Sequence, residues 1–470
     1  MEVNATIIVL LVICLIAACA FEFINGFHDT ANAVATVIYT KSMKPVTAVV
    51  WSGIWNFIGV YVGGIGVAMG IVSLLSNTVL VDQNVFHSVA MILALVLTAI
   101  IWNLGTWYVG LPCSSSHTLI GSIFGVGIAY MLLPDAGAVA LNWVKVKDVG
   151  LSLLISPVIG FGLAIALMAL FKRMLSKRSL FFHPTPKKKR PPIVIRATII
   201  ATSTLLSFFH GSNDGQKGVG LVMIILIALL PAKFALDHSK TPLDLNKNIV
   251  AIQQVVDKVN MDSIAHYDQV KIAALKTKLG HVTKTLGEAK TFNETQGNTN
   301  LNVRKDIASI NKDIASILEP SDYTSTIKLS KEDRKTLKHS ASSMKSFIEF
   351  VPWWVILMIS VSLGLGTMIG WKRIVVTVGE KIGKTQLSYA QGTTANLVTA
   401  TTIGLSTAFG LPASTTHVLS SGVAGSMVAS NGVKNLRMGT VKSILIAWLV
   451  TLPVTMIMSA LLFLLFRAFL

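Results

Sequence analysis

The residues of this chain best able to do chemistry stand where they are most costly. Asn25-Gly26-Phe27-His28-Asp29-Thr30-Ala31-Asn32 sets a carboxylate, an imidazole and two amides into otherwise apolar sequence. From Ile7 to Ile24 the chain is apolar except for Glu22, and beyond the cluster it stays largely apolar to Tyr39. Ionisable groups at membrane depth are expensive, which makes such a cluster a functional candidate by default. The pattern occurs twice. His210-Gly211-Ser212-Asn213-Asp214-Gly215-Gln216-Lys217-Gly218-Val219 keeps Gly26/Gly211, Asp29/Asp214 and Val34/Val219 in register.

A second duplicated motif carries the hydroxyls. Gly110-Leu111-Pro112-Cys113-Ser114-Ser115-Ser116-His117 is matched by Gly410-Leu411-Pro412-Ala413-Ser414-Thr415-Thr416-His417. Proline disfavours helix in the residue before it, and serines are natural caps for a helix that follows. Each motif therefore reads as a broken hairpin whose new helix begins at the hydroxyls. A helix N-terminus offers free N–H groups and positive potential. Ser114, Ser115, Ser116, Ser414, Thr415 and Thr416 together suit a tetrahedral oxyanion; the plainer alternative is that they glue helices together. Asp29 and Asp214 would repel an anion at low dielectric. They call for a cation or proton in the same site, and so for coupled anion transport, unless they only cap broken helices. His117 and His417 are either donors to the anion or packing residues, and Glu22 is either a proton relay or an interhelical hydrogen-bond partner.

The elements that position these groups are membrane spans. Of 470 residues, 52% are hydrophobic and 13% charged, and several apolar runs reach the roughly 20 residues that cross a bilayer. The fold class is an all-α polytopic membrane protein. Its net charge of +18 is concentrated in short segments between apolar runs, as in cytoplasmic loops, which argues against nucleic-acid binding. Cys14, Cys19 and Cys113 lie in apolar sequence without metal-ligand spacing, and the N-terminus reads as a retained span.

About five spans precede the basic segment 172–196 and about five follow it. The odd number inverts the second set. The expected organisation is a first repeat (1–171), a cytoplasmic linker (172–196) and the first span of a second repeat (197–232). A polar helical insertion (233–350) and the remainder of repeat two (351–470) complete it. In both repeats the first helix is expected to be broken and the Ser/Thr hairpin re-entrant. Lysines and arginines place the insertion and both termini on the periplasmic face, with the loop bearing Lys145 and Lys147 as the exception. Asp29 precedes Ser114 by 85 positions and Asp214 precedes Ser414 by 200; the surplus is close to the insertion's length. Two inverted copies with polar groups at mid-depth are the pattern of secondary transporters.

These four motifs, in this order, resemble the inorganic phosphate transporter (PiT) family, closest to its bacterial low-affinity Pit-type branch. The resemblance implies a bacterial inner-membrane symporter of inorganic phosphate, not an enzyme. It also implies protons as the driving ion and a neutral complex of phosphate with a divalent metal such as Mg2+ as a transported form. Sodium drives other branches, whose signature reads Gly-Ala-Asn-Asp-x-Ala-Asn in both halves; here His28 replaces the first Asn and Lys217 the last one of the second half. The coupling centre is assigned to Asn25, His28, Asp29, Asn32, Asn213, Asp214 and Lys217, with Glu22 beside it. Lys217, three positions after Asp214, shares its helix face and would stand in for a bound cation. A sulfate permease, a sodium-coupled phosphate symporter, and a channel or membrane phosphate sensor are the alternatives; assembly as a homodimer is left open.

Overall fold

The computed structural model describes residues 5–80, 84–133, 140–175, 179–183, 190–295, 297–319, 326–369, 372–377 and 381–470. The side chain of Asn32, together with Lys187, Lys188 and Lys189 of the basic segment, lies outside the described residues. The chain divides into two units. One comprises Val9–Ile225 and Val351–Leu470, the other Met1–Ile8 and Leu226–Phe350. Among the described residues the structure is almost entirely helical, with no strand and two isolated bridges, Leu75–Leu141 and Gly383–Leu436.

The larger unit opens with α1 (Ala5–Tyr39), α2 (Pro45–Val62), α3 (Gly66–Val72), α4 (Asn77–Leu80) and α5 (Val85–Val109). Then follow α6 (Ser115–Met131), α7 (Trp143–Met174), α8 (Ser179–Phe182), α9 (Ile193–His210), a π turn at Gly211–Gly215, and α10 (Gln216–Leu229). The smaller unit contains α11 (Pro231–Phe234), α12 (Pro242–Asp257), α13 (His266–Leu286), α14 (Gly297–Leu318) and α15 (Lys331–Lys345). The larger unit resumes with α16 (Trp353–Thr367), α17 (Lys372–Val376), α18 (Tyr389–Ala408), α19 (Thr415–Asn431) and α20 (Met438–Phe469).

Among the described residues, six helical stretches are long and apolar enough to cross a membrane: α1, α2, α5, α7, the run from Ile193 to Leu229, and α20. α16 is apolar but shorter. Leu154 and Val158 on α7, and Leu449 and Leu461 on α20, face outward and exposed. Apolar surface on that scale would aggregate in water and is the surface a bilayer requires.

The polar run at Asn25-Gly26 does not break the first helix, contrary to expectation. α1 is helical from end to end, and Thr30 Oγ1 donates back to Gly26 O (2.6 Å) and to Thr367 O on α16 (2.8 Å). Gly26 is there for its size: a Cβ would lie 2.5 Å from Leu363 O and 2.8 Å from Thr367 N, so the glycine lets α1 and α16 meet backbone to backbone. In the matching second segment the helix widens into the π turn Gly211–Gly215, a feature frequent at functional sites. After α1 the chain runs through α2 and α3, parted by a turn with Gly64 at φ 82°.

Packing joins distant parts of the chain. α6 lies along α20 and α19 along α7; α5 packs on α20, α18 on α7, α16 on α2, and α9 with the π turn on α2. The core of this unit combines Ala31, Val34 and Ala35 of α1 with Ala390 and Ala395 of α18 and Leu419 and Val423 of α19. Alanines recur among the larger apolar side chains, and small residues let helices in lipid approach closely. The smaller unit has its own core. Ile249, Ile252 and Val256, on one face of α12, are buried there with Leu275, Leu279, Ile307 and Leu337.

Candidate functional site

Both Ser/Thr motifs begin helices at one place. Gly110 (φ 75°) and Gly410 (φ 66°) turn the chain after α5 and α18, in a backbone conformation glycine adopts without strain. Ser114 and Ser414 are the caps of α6 and α19, each accepting the backbone N–H of the histidine three residues on at 3.2 Å. Ser114 Oγ also bonds His117 Nδ1 (2.9 Å). These two hydroxyls are thereby committed to holding the helix starts. The other four are not spent on capping. Ser116 Oγ donates to Ala413 O at 2.7 Å, so the two hairpins touch.

The remaining hydroxyls converge on the two aspartates, both 1% exposed. Asp29 accepts from Ser115 Oγ (3.0 Å) of the first hairpin and Thr416 Oγ1 (2.8 Å) of the second. Asp214 accepts from Thr415 Oγ1 (3.1 Å) and Ser115 Oγ (3.5 Å). Residues 29, 115, 214, 415 and 416, distant in sequence, form one buried polar cluster. Lys217 Nζ lies 2.8 Å from Asp214 Oδ1 and donates to Ser116 Oγ. Its long stem is among the largest fully buried side chains, so it stays at the site and does not snorkel to an interface.

Asn213 is used differently from its neighbour. Its Oδ1 accepts from Ala413 N (3.0 Å), and its Nδ2 donates to Thr407 Oγ1 (2.9 Å) and Leu411 O (3.2 Å). Both ends of the amide thus hold the backbone of the second hairpin. On α1, Asn25 Nδ2 donates to Glu22 Oε1 at 3.0 Å. Glu22 is fully buried and lies against α10, where a Cβ on Gly218 would be 2.3 Å from its Oε2. His28 turns Nε2 to Thr106 Oγ1 (3.2 Å), with Nδ1 3.7 Å from Asp29 Oδ1. His117 and His417 have their rings 4.4 Å apart, and His417 stacks on Trp448 at 3.9 Å.

The arrangement brings two helix N-termini, hydroxyls and an ammonium into contact with two carboxylates. It can hold an anion and a cation side by side. The sequence profile of the phosphate transporter family matches residues 25–459, which include every group just described except Glu22. The chain belongs to the phosphate transporter family. Its members and this chain's relatives are transporters, not enzymes. It is 40% identical over 487 residues to the low-affinity inorganic phosphate transporter PitA of Escherichia coli (strain K12), covering 96% of this chain and 95% of that protein. It is 39% identical over 472 residues to the low-affinity inorganic phosphate transporter of Buchnera aphidicola subsp. Acyrthosiphon pisum, covering 94% of each. Among solved structures, the sodium-dependent phosphate transporter aligns with a TM-score of 0.55 at 21% identity, over 98% of this chain and 100% of that one, a likeness of fold. Apolar helices and bacterial relatives make this family member a multi-pass inner-membrane protein.

One member of the cluster was missed by sequence reasoning. His210 Nε2 lies 3.5 Å from Asp214 Oδ2 and 3.7 Å from Asp29 Oδ2, so that it, like Ser115, faces both carboxylates. The signal was its place four residues before Asp214, one helical turn away. First-segment reasoning offered no guide, because position 25 there is Asn.

Proposed function

We propose that the protein is a secondary active symporter of inorganic phosphate, driven by protons. The observation that carries this reading is the meeting of two hairpin helix starts at Asp29 and Asp214, with Lys217 already on Asp214. Phosphate would be held by Ser115, Ser116, Thr415 and Thr416 and by the amides at the starts of α6 and α19, as helix N-termini hold oxyanions. Asp29, with Asn25, His28, Asn32 and Glu22 on the same helix, would carry the driving proton. Lys217 would neutralise Asp214 permanently, as a bound sodium ion would do transiently. Asn213 serves as the residue that sets the second hairpin in place.

Two inverted repeats with re-entrant hairpins fit the packing described above. Exchanging α6 with α19, and α7 with α20, converts the contact of α6 on α20 into that of α19 on α7. Under this reading both termini and residues 233–350 are periplasmic. A neutral complex of phosphate with a divalent cation is a cargo the adjoining carboxylates and hydroxyls could receive. The test is radiolabelled phosphate uptake into proteoliposomes, with proton and sodium gradients imposed separately and Mg2+ present or absent. A proton gradient alone should drive uptake. Uptake that requires sodium at fixed pH and ignores the proton gradient refutes the coupling assigned here.

A further inference from the structure

Among the described residues the larger unit buries three acids, Glu22, Asp29 and Asp214. The two aspartates are held by hydroxyls, and Asp214 by Lys217 as well. Glu22 has neither kind of partner. Its carboxyl is 0% exposed, and its Oε1 accepts from Asn25 Nδ2 (3.0 Å), one turn along the same helix. Its Oε2 is buried without a hydrogen-bond partner. The ammonium of Lys217, the residue before Gly218, is engaged by Asp214 Oδ1 and Ser116 Oγ. Since the bond Glu22 makes stays within α1, the carboxyl does not serve to join helices.

Packing closes the carboxyl off on its α10 side. A Cβ on Gly218 would lie 2.3 Å from Oε2 and 2.8 Å from the carboxyl carbon, so no water or counter-ion fits between them. A buried charge needs a partner, and the surroundings supply none. Asn25 has the complementary deficit: its Nδ2 is used, while its Oδ1 is buried without a donor. With Glu22 ionised, the two side chains therefore hold two unpaired atoms, both of them acceptors. One proton makes the carboxyl a donor as well as an acceptor. Acid and amide can then pair through two hydrogen bonds, and a single proton satisfies both atoms. The titratable groups within electrostatic reach are Cys19 on α1, Lys217 on α10, Asp214 in the π turn and His210 at the end of α9.

We propose that Glu22 is the seat of the transported proton, and that its protonation is the condition for α1 and α10 to close on one another. The proposal rests on the proton-driven phosphate reading above and deepens it by assigning the proton to one carboxyl apart from the anion. Glu22 precedes Asp29 by seven residues, two helical turns or about 10 Å along α1, so proton and phosphate occupy separate places. An ionised Glu22 needs water, which cannot reach it while Gly218 abuts it; α1 and α10 must then part. A protonated Glu22 fits dry against the glycine. Lys217 adjoins Gly218, so parting α10 from α1 also displaces the ammonium that holds Asp214 and Ser116 of the first hairpin. A closed, loaded site thus carries its proton with it, and the unprotonated carrier does not close on phosphate alone. The two fluxes are linked without contact between the two ligands.

Two measurements on the full-length protein test this, and the first needs no variant. Infrared difference spectra of the purified protein, with and without inorganic phosphate, should show the carbonyl stretch of a protonated carboxylic acid. The band should shift when glutamate side chains carry 13C and stay in place when aspartate side chains do. A spectrum without a glutamic-acid band overturns the proposal, as does a band that follows the aspartate label alone. The second measurement uses Glu22→Gln, which keeps the donor and acceptor of the protonated acid but cannot release a proton. In proteoliposomes with Mg2+ present and the membrane potential clamped at zero, a gradient of about one pH unit should sustain about tenfold accumulation of phosphate per proton carried by the wild type. Glu22→Gln should sustain none, while its exchange of radiolabelled phosphate at equal pH persists at a reduced rate, because exchange moves no net proton. Accumulation by Glu22→Gln at the wild-type level overturns the proposal. Phosphate exchange by the wild type without the glutamic-acid band refutes the proton seat alone; a wild type that exchanges no phosphate refutes the phosphate reading.

Discussion

Replacing Lys217 by methionine keeps most of the buried stem and removes the charge. The ammonium is 2.8 Å from Asp214 Oδ1, and both side chains are at most 2% exposed. At an effective dielectric of 20, that separation corresponds to about 6 kcal/mol of attraction. Desolvating both ions offsets much of this, so the pair as a whole contributes little net stability. Removing one partner is different: an unpaired buried carboxylate is left, at a cost of about 3–5 kcal/mol. The double variant Lys217→Met with Asp214→Asn leaves two neutral groups and should recover most of the loss. Thermal melting in detergent, followed through the intrinsic fluorescence of the chain's nine tryptophans, should rank the wild type close to the double variant and well above Lys217→Met. Equal midpoints for the wild type and Lys217→Met would refute the pairing. A double variant no better than the single one would show that the cost arises from packing rather than from charge.

Three further outcomes follow from the geometry. Ser115→Ala and Thr415→Ala each remove a hydroxyl placed at the shared site, and a charge-assisted hydrogen bond contributes about 1.5–3 kcal/mol. Each should weaken phosphate binding tenfold or more by isothermal titration; unchanged affinity in both would remove the hydroxyls from the anion site. Gly26→Val puts side-chain atoms against the backbone of α16 and should lower the melting temperature and the yield of folded protein, by about 1–3 kcal/mol or more. Lys335→Cys, in an exposed position of α15, should react with an impermeant maleimide in intact spheroplasts if residues 233–350 are periplasmic. Labelling only after lysis would reverse the topology.

Much of the site was legible because its residues are chemically conspicuous. Asp29, Asp214, Lys217 and the two Ser/Thr runs are polar groups in apolar sequence, and their duplication ties them together in the sequence alone. The spacing of Lys217 after Asp214 placed the two on one helix face, and they lie in contact. The helix break at Gly26 was misread because glycine has two uses. Local sequence suggests conformational freedom, whereas the position needs a small side chain against Leu363, more than 300 residues away. His210 escaped for a related reason. Its orientation is set by Asn56 and Thr367, on helices far from it in sequence, and neither carries a recognisable motif.

That dependence on distant partners also bears on how the chain is made. Asp29 receives a hydrogen bond from Thr416, 387 residues later. At synthesis rates of about 5–20 residues per second, those residues take roughly 20–80 s to appear. Over that interval α1, α2, α5 and α7 are in the bilayer without α16, α19 and α20, the helices they will pack against. Asp29 must then be hydrated or held by the insertion machinery, because hydrocarbon offers it no partner. The smaller unit is made within this same interval. With a core of its own, and its two ends joined by the bond from Asp237 N to Phe347 O at 2.9 Å, it can fold while the larger unit waits for its last five helices.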